Sequence, residues 1–318
     1  MKISVIIPVY NRVKKLDYAL RSLDEQIFKD FEVVIVDDGS DEDYLSMLHK
    51  HKELNVIYHK ITHTGNIGFL RNEGFKYSSG DYIAILDSDD YCDKRRFELQ
   101  NNILDEKPDV DILATWVNLV SDTNNANLIR LDSLYNATYD TEGIVFQNLN
   151  YGCCICHSSV LLRRHVLEKL GGYDENYSIC EDYKLWMDAI SNDYSIMILP
   201  EKLTYRTLHS SSLTSNYEGS DEAISKVVSI KLKYLNEIGK HIDKIIILGN
   251  SKRNTITVPL IKEYIKTGKE LRILSVYEGL PTKIDADYIF VSTFTSREYI
   301  FDYLVSIGKK PVEDFIYL

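Results

Sequence analysis

No stretch of this 318-residue chain approaches the apolar length that crosses a bilayer. The N-terminus, Met1-Lys2-Ile3-Ser4-Val5-Ile6-Ile7-Pro8, is too short in its apolar part for a signal peptide and lacks a small-residue cleavage site. It is expected to be a core strand, and the protein to be cytosolic. A basic excess is also missing. Lys and Arg number 37 against 48 Asp and Glu, a formal net charge of -11, which argues against nucleic acid as a general partner. A phosphate-bearing ligand is not excluded, because a metal ion inverts the local charge. Cysteine is sparse. Of Cys92, Cys153, Cys154, Cys156 and Cys180, only Cys153 and Cys156 have Cys-x-x-Cys spacing. With no second pair at zinc spacing, reduced structural thiols are expected. The Gly-x-Gly-x-x-Gly fingerprint and the Walker lysine loop are absent as well, so no dinucleotide site is expected in the C-terminal part.

What is present is a globular composition, 44% hydrophobic and 27% charged, on a chain too long for one ordinary core. One large and one small domain are expected. β-branched strand patterns at 2–9, 31–36, 56–59 and 83–86 alternate with helical periods at 13–26, from about 41, and at 69–77. That alternation predicts a parallel sheet flanked by helices. Further along, a helix is expected at 95–104, strands at 110–120 and 195–199, a strand or extended segment at 155–162, and helices at 166–170 and 181–191. A polar loop is expected at 121–127. A long helix at 220–238, closed by Gly239, is expected to belong to a linker over 216–240. From Lys244 a second strand–helix pattern suggests a small Rossmann-like unit, residues 241–318, for docking or oligomerisation.

The chemistry concentrates after Ile83-Ala84-Ile85-Leu86, an apolar run that ends in Asp87, Ser88, Asp89 and Asp90. Three carboxylates in four residues repel one another and are costly to desolvate together. A hard cation such as Mg²⁺ or Mn²⁺, which bridges protein oxygens to phosphate, would neutralise them. Ligands of open α/β sheets sit beyond the carboxyl ends of strands, where this cluster falls. A solvated acidic turn is the plain alternative.

Four other stretches accompany it: Val-Ile-Ile-Pro-Val-Tyr-Asn-Arg at 5–12, Val-Asp-Asp-Gly-Ser at 36–40, Asn-Ile-Gly-Phe-Leu-Arg-Asn-Glu-Gly at 66–74, and Glu-Asp-Tyr-Lys-Leu-Trp at 181–186. In this order and spacing the chain, over about residues 1–215, resembles the family 2 glycosyltransferases of the GT-A fold. The resemblance implies a mostly parallel central sheet, a nucleotide-diphospho-sugar donor, inversion at the anomeric carbon, and Mn²⁺ or Mg²⁺. It implies that Pro8, Val9 and Tyr10 lie beside the nucleotide and that Asp38 accepts the N3–H of uracil, an ionised carboxylate being acceptor only. Asn66, Gly68 and Arg71 would adjoin the nucleotide, with Arg71 facing phosphate or a site carboxylate. Among Asp87, Asp89 and Asp90 one carboxylate would serve the ribose hydroxyls and one or two the metal, which sequence does not apportion; Asp87 and Ser88 are the nucleotide candidates, and Asp89, Asp90 and His209 the metal candidates. Asp182, with Glu181 beside it, would supply the base opposite the leaving group.

Each residue also has an ordinary explanation: a core tyrosine for Tyr10, helix capping for Asp37 or Asp38, a surface arginine for Arg71, helix-dipole carboxylates for Glu181 and Asp182, a structural histidine for His209. The resulting expectation is a metal-dependent inverting transferase acting on a glycan or lipid-linked acceptor, with no nucleic-acid partner. A homo-oligomer through the C-terminal domain is expected, and peripheral contact with the inner membrane face through Arg163-Arg164-His165. A sugar nucleotidyltransferase and a non-catalytic scaffold with a degenerate site are the rival readings.

Overall fold

The computed structural model describes residues 1–121, 128–209, 219–240, 242–249, 253–265, 269–275, 279–293 and 297–318. Residues 122–127 of the polar loop expected at 121–127, the linker start at 216–218, and residues 250–252 of the turn after Leu248 lie outside them. The chain divides into two units, Met1–Thr141 with Cys153–Asn216, and Glu142–Gly152 with Tyr217–Leu318.

The first unit is built on strands β1 (Ile3–Val9) and β2 (Phe31–Asp37), buried at every residue, as uninterrupted β-branched runs covered on both faces should be. They pair in parallel, Ile3 opposite Phe31, and β4 (Tyr82–Ile85) joins β1 on its other side, also in parallel. β3 (Val56–Lys60) completes this half beside β2. Three helices make the crossovers: α1 (Val13–Asp24), α2 (Tyr44–Leu48) and α3 (Ile67–Tyr77). α1 buries Leu16, Ala19, Leu20 and Leu23, the spacing of a single helical face. Because the strands run the same way, Tyr10, Asp38 and Asp87 all leave the sheet at one edge.

The rest of the sheet is mixed. After the short β5 (Tyr91–Cys92) and α4 (Arg96–Glu106) come β6 (Ile112–Ser121), β7 (Leu161–Arg163) and β8 (Ile196–Leu208), in the order β3-β2-β1-β4-β7-β6-β8-β5. β7 is antiparallel to both β4 and β6. The extended segment expected at 155–162 is a 3-10 turn, His157–Ser159, before β7. Fully buried Arg96 closes the seam where direction reverses: its guanidinium donates to the carbonyls of Ile85 and Val160, both at 3.1 Å, and to Gln100 Oε1 at 3.0 Å. The Gln100 amide donates onward to Leu113 O and Ser159 O. Helices α5 (Leu128–Tyr135) and α6 (Thr141–Asn150) carry no strong periodic signal and were not expected. α7 (Arg164–Leu170) and α8 (Glu181–Ser191) match the expected helices. All five cysteines are free thiols.

The expected basic patch is consumed internally. Arg163 donates to the carbonyls of Val110, Leu104 and Lys107. Arg164 donates to Gly80 O and Ser78 Oγ, and His165 Nε2 lies 3.2 Å from Asp111 Oδ1. These side chains close backbone ends and do not form a free cationic face. Among the described residues no helix is long and apolar enough to cross a membrane.

The second unit contains α9 (Asp221–Glu237), β9 (Lys244–Leu248), α10 (Asn254–Ile265), β10 (Glu270–Leu274), β11 (Tyr288–Val291), α11 (Arg297–Ser306) and β12 (Phe315–Tyr317). Its sheet is parallel throughout, order β10-β9-β11-β12. The boundary differs from the sequence reading: α9 is not a linker. It buries Val228, Ile230, Leu232 and Leu235. Its buried Lys231 donates to Leu149 O at 2.8 Å and Tyr317 O at 2.6 Å, tying the 142–152 segment and the last strand to the helix. No local signal announces that segment, whose role is set by a partner more than eighty residues away.

Candidate active site

Beyond β1 the chain passes through exposed Tyr10 and through Asn11, whose φ is 46°. Asn11 N donates to Ser40 Oγ at 2.9 Å, Asp41 N donates to Asn11 Oδ1 at 2.9 Å, and Arg12 N donates to Tyr44 Oη at 2.8 Å. The loops after β1 and β2 are therefore laced together. Pro8 and Val9 are buried strand residues at the end of β1, just before this edge.

Asp38 is placed at the edge but turned inward. It is 2% exposed. Oδ1 accepts from Thr64 N at 2.7 Å and Thr64 Oγ1 at 3.0 Å; Oδ2 accepts from Gly65 N at 2.9 Å and lies 2.9 Å from His63 Nδ1. Three hydrogen bonds thus reach the carboxylate, while His63 Nδ1 lies 2.9 Å from the Asp38 backbone carbonyl. Asp38, the residue expected to meet uracil, thereby organises the 63–65 loop. Gly39, at φ +76°, is needed beside it, because a Cβ there would fall 2.7 Å from His63 N.

The start of α3 is occupied in the same way. Asn66 caps the helix by accepting from Phe69 N at 3.1 Å, and its amide donates to Glu175 O at 2.8 Å. Asn72 Oδ1 accepts from Tyr173 N at 2.8 Å while its Nδ2 donates to Tyr173 O at 2.9 Å, so one side chain mimics a strand partner. Gly172 is required under that clamp, since a Cβ would sit 2.4 Å from Asn72 Oδ1. Gly68 packs against Tyr173 and Asp174. Asn66 and Gly68, expected beside the nucleotide, contact the 172–175 loop.

Arg71 is 3% exposed and faces carboxylates, not solvent. Its Nη2 lies 2.8 Å from Asp87 Oδ1, its Nη1 bonds Glu181, and its guanidinium stands 5.5 Å over the Tyr173 ring. This arginine joins α3, the end of β4 and the start of α8. Burial works to raise the pKa of Asp87, but the Arg71 guanidinium holds it below the ordinary carboxylate value. Burial wins at Glu181, pushed up to about 7 even with Arg71 beside it, and Asp182 adds repulsion. Asp182 is raised too, by burial first, against the Tyr183 N–H, Arg71 and Arg206. Its Oδ1 accepts from Tyr183 N at 2.6 Å. The residue before the pair, Cys180, sits at φ 60°, a strained conformation for a side-chain-bearing residue.

Asp89 is the most crowded oxygen of the edge. Its Oδ2 lies 2.6 Å from His209 Nε2, 2.9 Å from Arg12 Nη1 and 3.9 Å from Lys15 Nζ, and Lys15 Nζ is itself 2.7 Å from His209 Nε2. Asp90 goes elsewhere: 4% exposed, it accepts from Thr207 N on β8 at 2.8 Å. Burial, then Asp87 and Asp89, raise it to about 8. Asp89 and His209 therefore come together as expected, and Asp90 does not join them. Ser88 is buried between, and among the described residues no three acidic, histidine or cysteine groups converge as a ready metal cage.

Comparison with known proteins decides the class. The family description "Glycosyl transferase family 2" matches residues 4–171. This chain belongs to that family. An uncharacterized glycosyltransferase of Methanocaldococcus jannaschii is 28% identical over 205 residues, 63% of this chain and 69% of its own length. The Escherichia coli UDP-Glc:alpha-D-GlcNAc-diphosphoundecaprenol beta-1,3-glucosyltransferase WfaP is 24% identical over 216 residues, 67% of this chain and 80% of its own. The crystal structure of S. aureus TarS 1-349 in complex with UDP-GlcNAc superposes with a TM-score of 0.62 at 26% identity, covering 74% of this chain and 67% of that one. The fold is GT-A, and the protein is a glycosyltransferase.

Within this family 2 site, several residues escaped sequence reading. Arg12 and Lys15 sit on Asp89 yet belong to a turn and a polar helix start. His63 stacks on Tyr10, ring centroids 4.2 Å apart at 22°. Arg206, on β8, packs 4.9 Å over the Tyr135 ring and contributes charge at Asp87 and Asp182. Buried His157 bonds Tyr173 Oη at 2.9 Å; burial, then Arg71, holds its pKa well below the ordinary value, so it stays neutral. The only signal for Arg206 was its alternation with Tyr205 and Thr207 just ahead of His209.

Proposed function

We propose that this protein is an inverting, divalent-metal-dependent transferase that moves a sugar from a nucleotide-diphosphate donor, a UDP-sugar, to a hydroxyl of a glycan or lipid-linked acceptor. The observation that carries it is the division made by Arg71. Arg71 takes Asp87 and Glu181 into ion pairs and leaves Asp182, next in the chain, with a raised pKa and no salt bridge among the described residues. Two neighbouring carboxylates thus acquire different tasks from their surroundings. Glu181 positions; Asp182 takes the proton.

In this mechanism Asp182 accepts the proton of the acceptor hydroxyl as that oxygen bonds to the anomeric carbon. The bond from that carbon to the diphosphate oxygen breaks on the opposite face, which inverts the centre. Arg71 fixes the height of the α8 start against Asp87. The neutral His157–Tyr173 pair adds no charge at this side. Asp89 and His209 are the groups that would hold a divalent ion. They fit it: a carboxylate oxygen and an imidazole nitrogen already converge, with two side-chain cations drawn to them, and a Mg²⁺- or Mn²⁺-type ion usually takes one or two protein donors besides phosphate. When bound, such an ion stabilises charge growing on the leaving diphosphate.

The UDP assignment is supported by TarS, solved with UDP-GlcNAc, and by the UDP-Glc-dependent relative WfaP. A lipid-linked acceptor, and with it a place at the inner membrane face, is supported by the diphosphoundecaprenol substrate in WfaP's name. The second unit is assigned to positioning or self-assembly. The test is a binding and hydrolysis screen of nucleotide sugars with Mn²⁺ or Mg²⁺. Metal-stimulated hydrolysis of a UDP-sugar is expected; no binding of any nucleotide sugar would leave the scaffold reading standing.

A further inference from the structure

The second unit has a pole that sugar transfer does not use. From β9 the chain travels through α10 outward to β10, and from β11 through α11 outward to β12. Its direction of travel therefore reverses between β9 and β11. In an open parallel sheet, the crevice beyond the carboxyl ends of the strands at such a reversal is where a ligand fits. Three cationic side chains gather at this end. Buried Lys231 of α9 donates to Tyr317 O at 2.6 Å. Arg253, just ahead of α10, reaches past the end of β11 and donates to Leu318 O at 2.9 Å. Arg297, the first residue of α11, stands 5.0 Å over the Tyr317 ring. Burial, then Arg297 and Arg253, push the pKa of the Lys231 ammonium down to about 7, as positive charges held close together should.

Two further features have the same sign. α10 and α11 both begin at this end, and helix starts carry positive potential and unpaired backbone N–H groups. α10 also buries Thr257, Ile261 and Ile265 on one face, and Thr257 is the member nearest its start. Thr257 N donates to Arg253 O at 2.9 Å, so this side chain stands one turn from Arg253 on the same side of the helix. Thr257 is fully buried, and its Oγ1 has no hydrogen-bond partner among the described residues. A buried hydroxyl left so is costly, and a bound acceptor removes the cost.

We propose that the second unit binds a phosphate group at this pole, with Arg253 and Arg297 on its oxygens, Lys231 adding charge and the Thr257 hydroxyl donating a hydrogen bond. The ligand is inorganic phosphate or a small phosphate ester. The glycine fingerprint of dinucleotide sites is missing here, so side chains and not a backbone cradle do the holding. Every group in the site belongs to the second unit, so it stands or falls apart from the donor reading.

Calorimetry and thermal melting of the full chain test it, with inorganic phosphate and glucose 1-phosphate as probes. Chelator is present to keep either probe from a metal at the donor site, and ionic strength is matched with chloride. Saturable binding is expected, with a rise in melting temperature that chloride does not give. Arg253→Gln and Arg297→Gln should each weaken binding by about ten-fold or more, the scale of one charge-assisted contact. Arg297→Lys, which keeps the charge and loses the fork, should fall between. Thr257→Val removes the hydroxyl and little else. It should weaken binding by about three-fold to ten-fold, and without phosphate its melting temperature should hold or rise. That variant carries the test if an arginine variant does not fold. Tighter binding of glucose 1-phosphate supports the site with an ester as its ligand, and tighter binding of inorganic phosphate supports it with the free ion. No saturable binding of either probe overturns the proposal. So does stabilisation that chloride matches, or binding that Arg253→Gln, Arg297→Gln and Thr257→Val all leave intact.

Discussion

Two groups of carboxylates stand at the same edge of the sheet and are neutralised differently. Around Arg71, Asp87 and Glu181 are held by one buried guanidinium whose removal would strand two acids. Around Asp89, the partners are His209 and two side chains, Arg12 at 30% and Lys15 at 39% exposure, with solvent to return to. The first is architecture, because a buried charge without its partner is expensive. The second is exchangeable, because exposed cations give up one carboxylate for water at small cost. A metal and diphosphate can enter the second group without dismantling the fold. Asp182 belongs to neither, which is what suits it to gain and lose a proton.

The largest test of this contrast is Asp182→Asn, which keeps shape and removes the base. Transfer should fall by about 10²–10⁴, the usual worth of a placed general base. Donor affinity, measured separately by calorimetry, should stay within about three-fold of wild type. Simultaneous loss of donor binding would make Asp182 a donor ligand; a dead Glu181→Gln with an active Asp182→Asn would exchange their roles.

Asp89→Asn comes next. Single-turnover transfer should drop by about 10²–10³, comparable to losing one group aimed at developing charge. The melting temperature should not fall, since the exposed cations lose little. A variant fully active in chelator would end the metal assignment.

Arg71→Met sharpens the comparison from the other side. It should lower stability by about 3–5 kcal/mol in urea unfolding, the cost of stranding a buried charge. Arg71→Lys should recover part of this, because a single ammonium cannot span both acids with forked geometry. A loss under about 1 kcal/mol for Arg71→Met would mean that Asp87 and Glu181 accommodate protons without strain, and would remove the distinction between the two groups.

The contrast also marks how far sequence carried. The acidic cluster was legible because an apolar strand cannot continue through Asp87, Asp89 and Asp90, and the parallel half of the sheet because β-branched runs alternate with helical periods. What each carboxylate faces was not. Asp38 is filled by residues 25–27 positions later, Asp90 by Thr207 on β8, Asp87 by an arginine on another crossover helix. Such pairings follow from crossovers that local patterns do not encode. α9 misled for a related reason: an amphipathic helix after a long polar stretch looks like a connector until the strands that cover it are known.

The smallest effect expected is on pH dependence, and it separates Glu181 from Asp182. Glu181, raised by burial from 4.5 to about 7, binds a proton in the native state that the unfolded chain has released. Its contribution to stability is complete below pH 4.5 and is lost as pH rises toward about 7. Activity runs the other way. Asp182, raised above its ordinary 3.8 by burial, must be ionised to act, so the transfer rate should climb with pH through the acid range while stability slides. Glu181→Gln should flatten the stability slope between pH 4.5 and 7 and leave the rising limb of the rate profile in place. Melting curves and single-turnover rates at matched pH values measure both limbs. If Glu181→Gln abolishes the rate limb and keeps the stability slope, Glu181 is the titrating base, and Arg71 holds the catalyst instead of the scaffold.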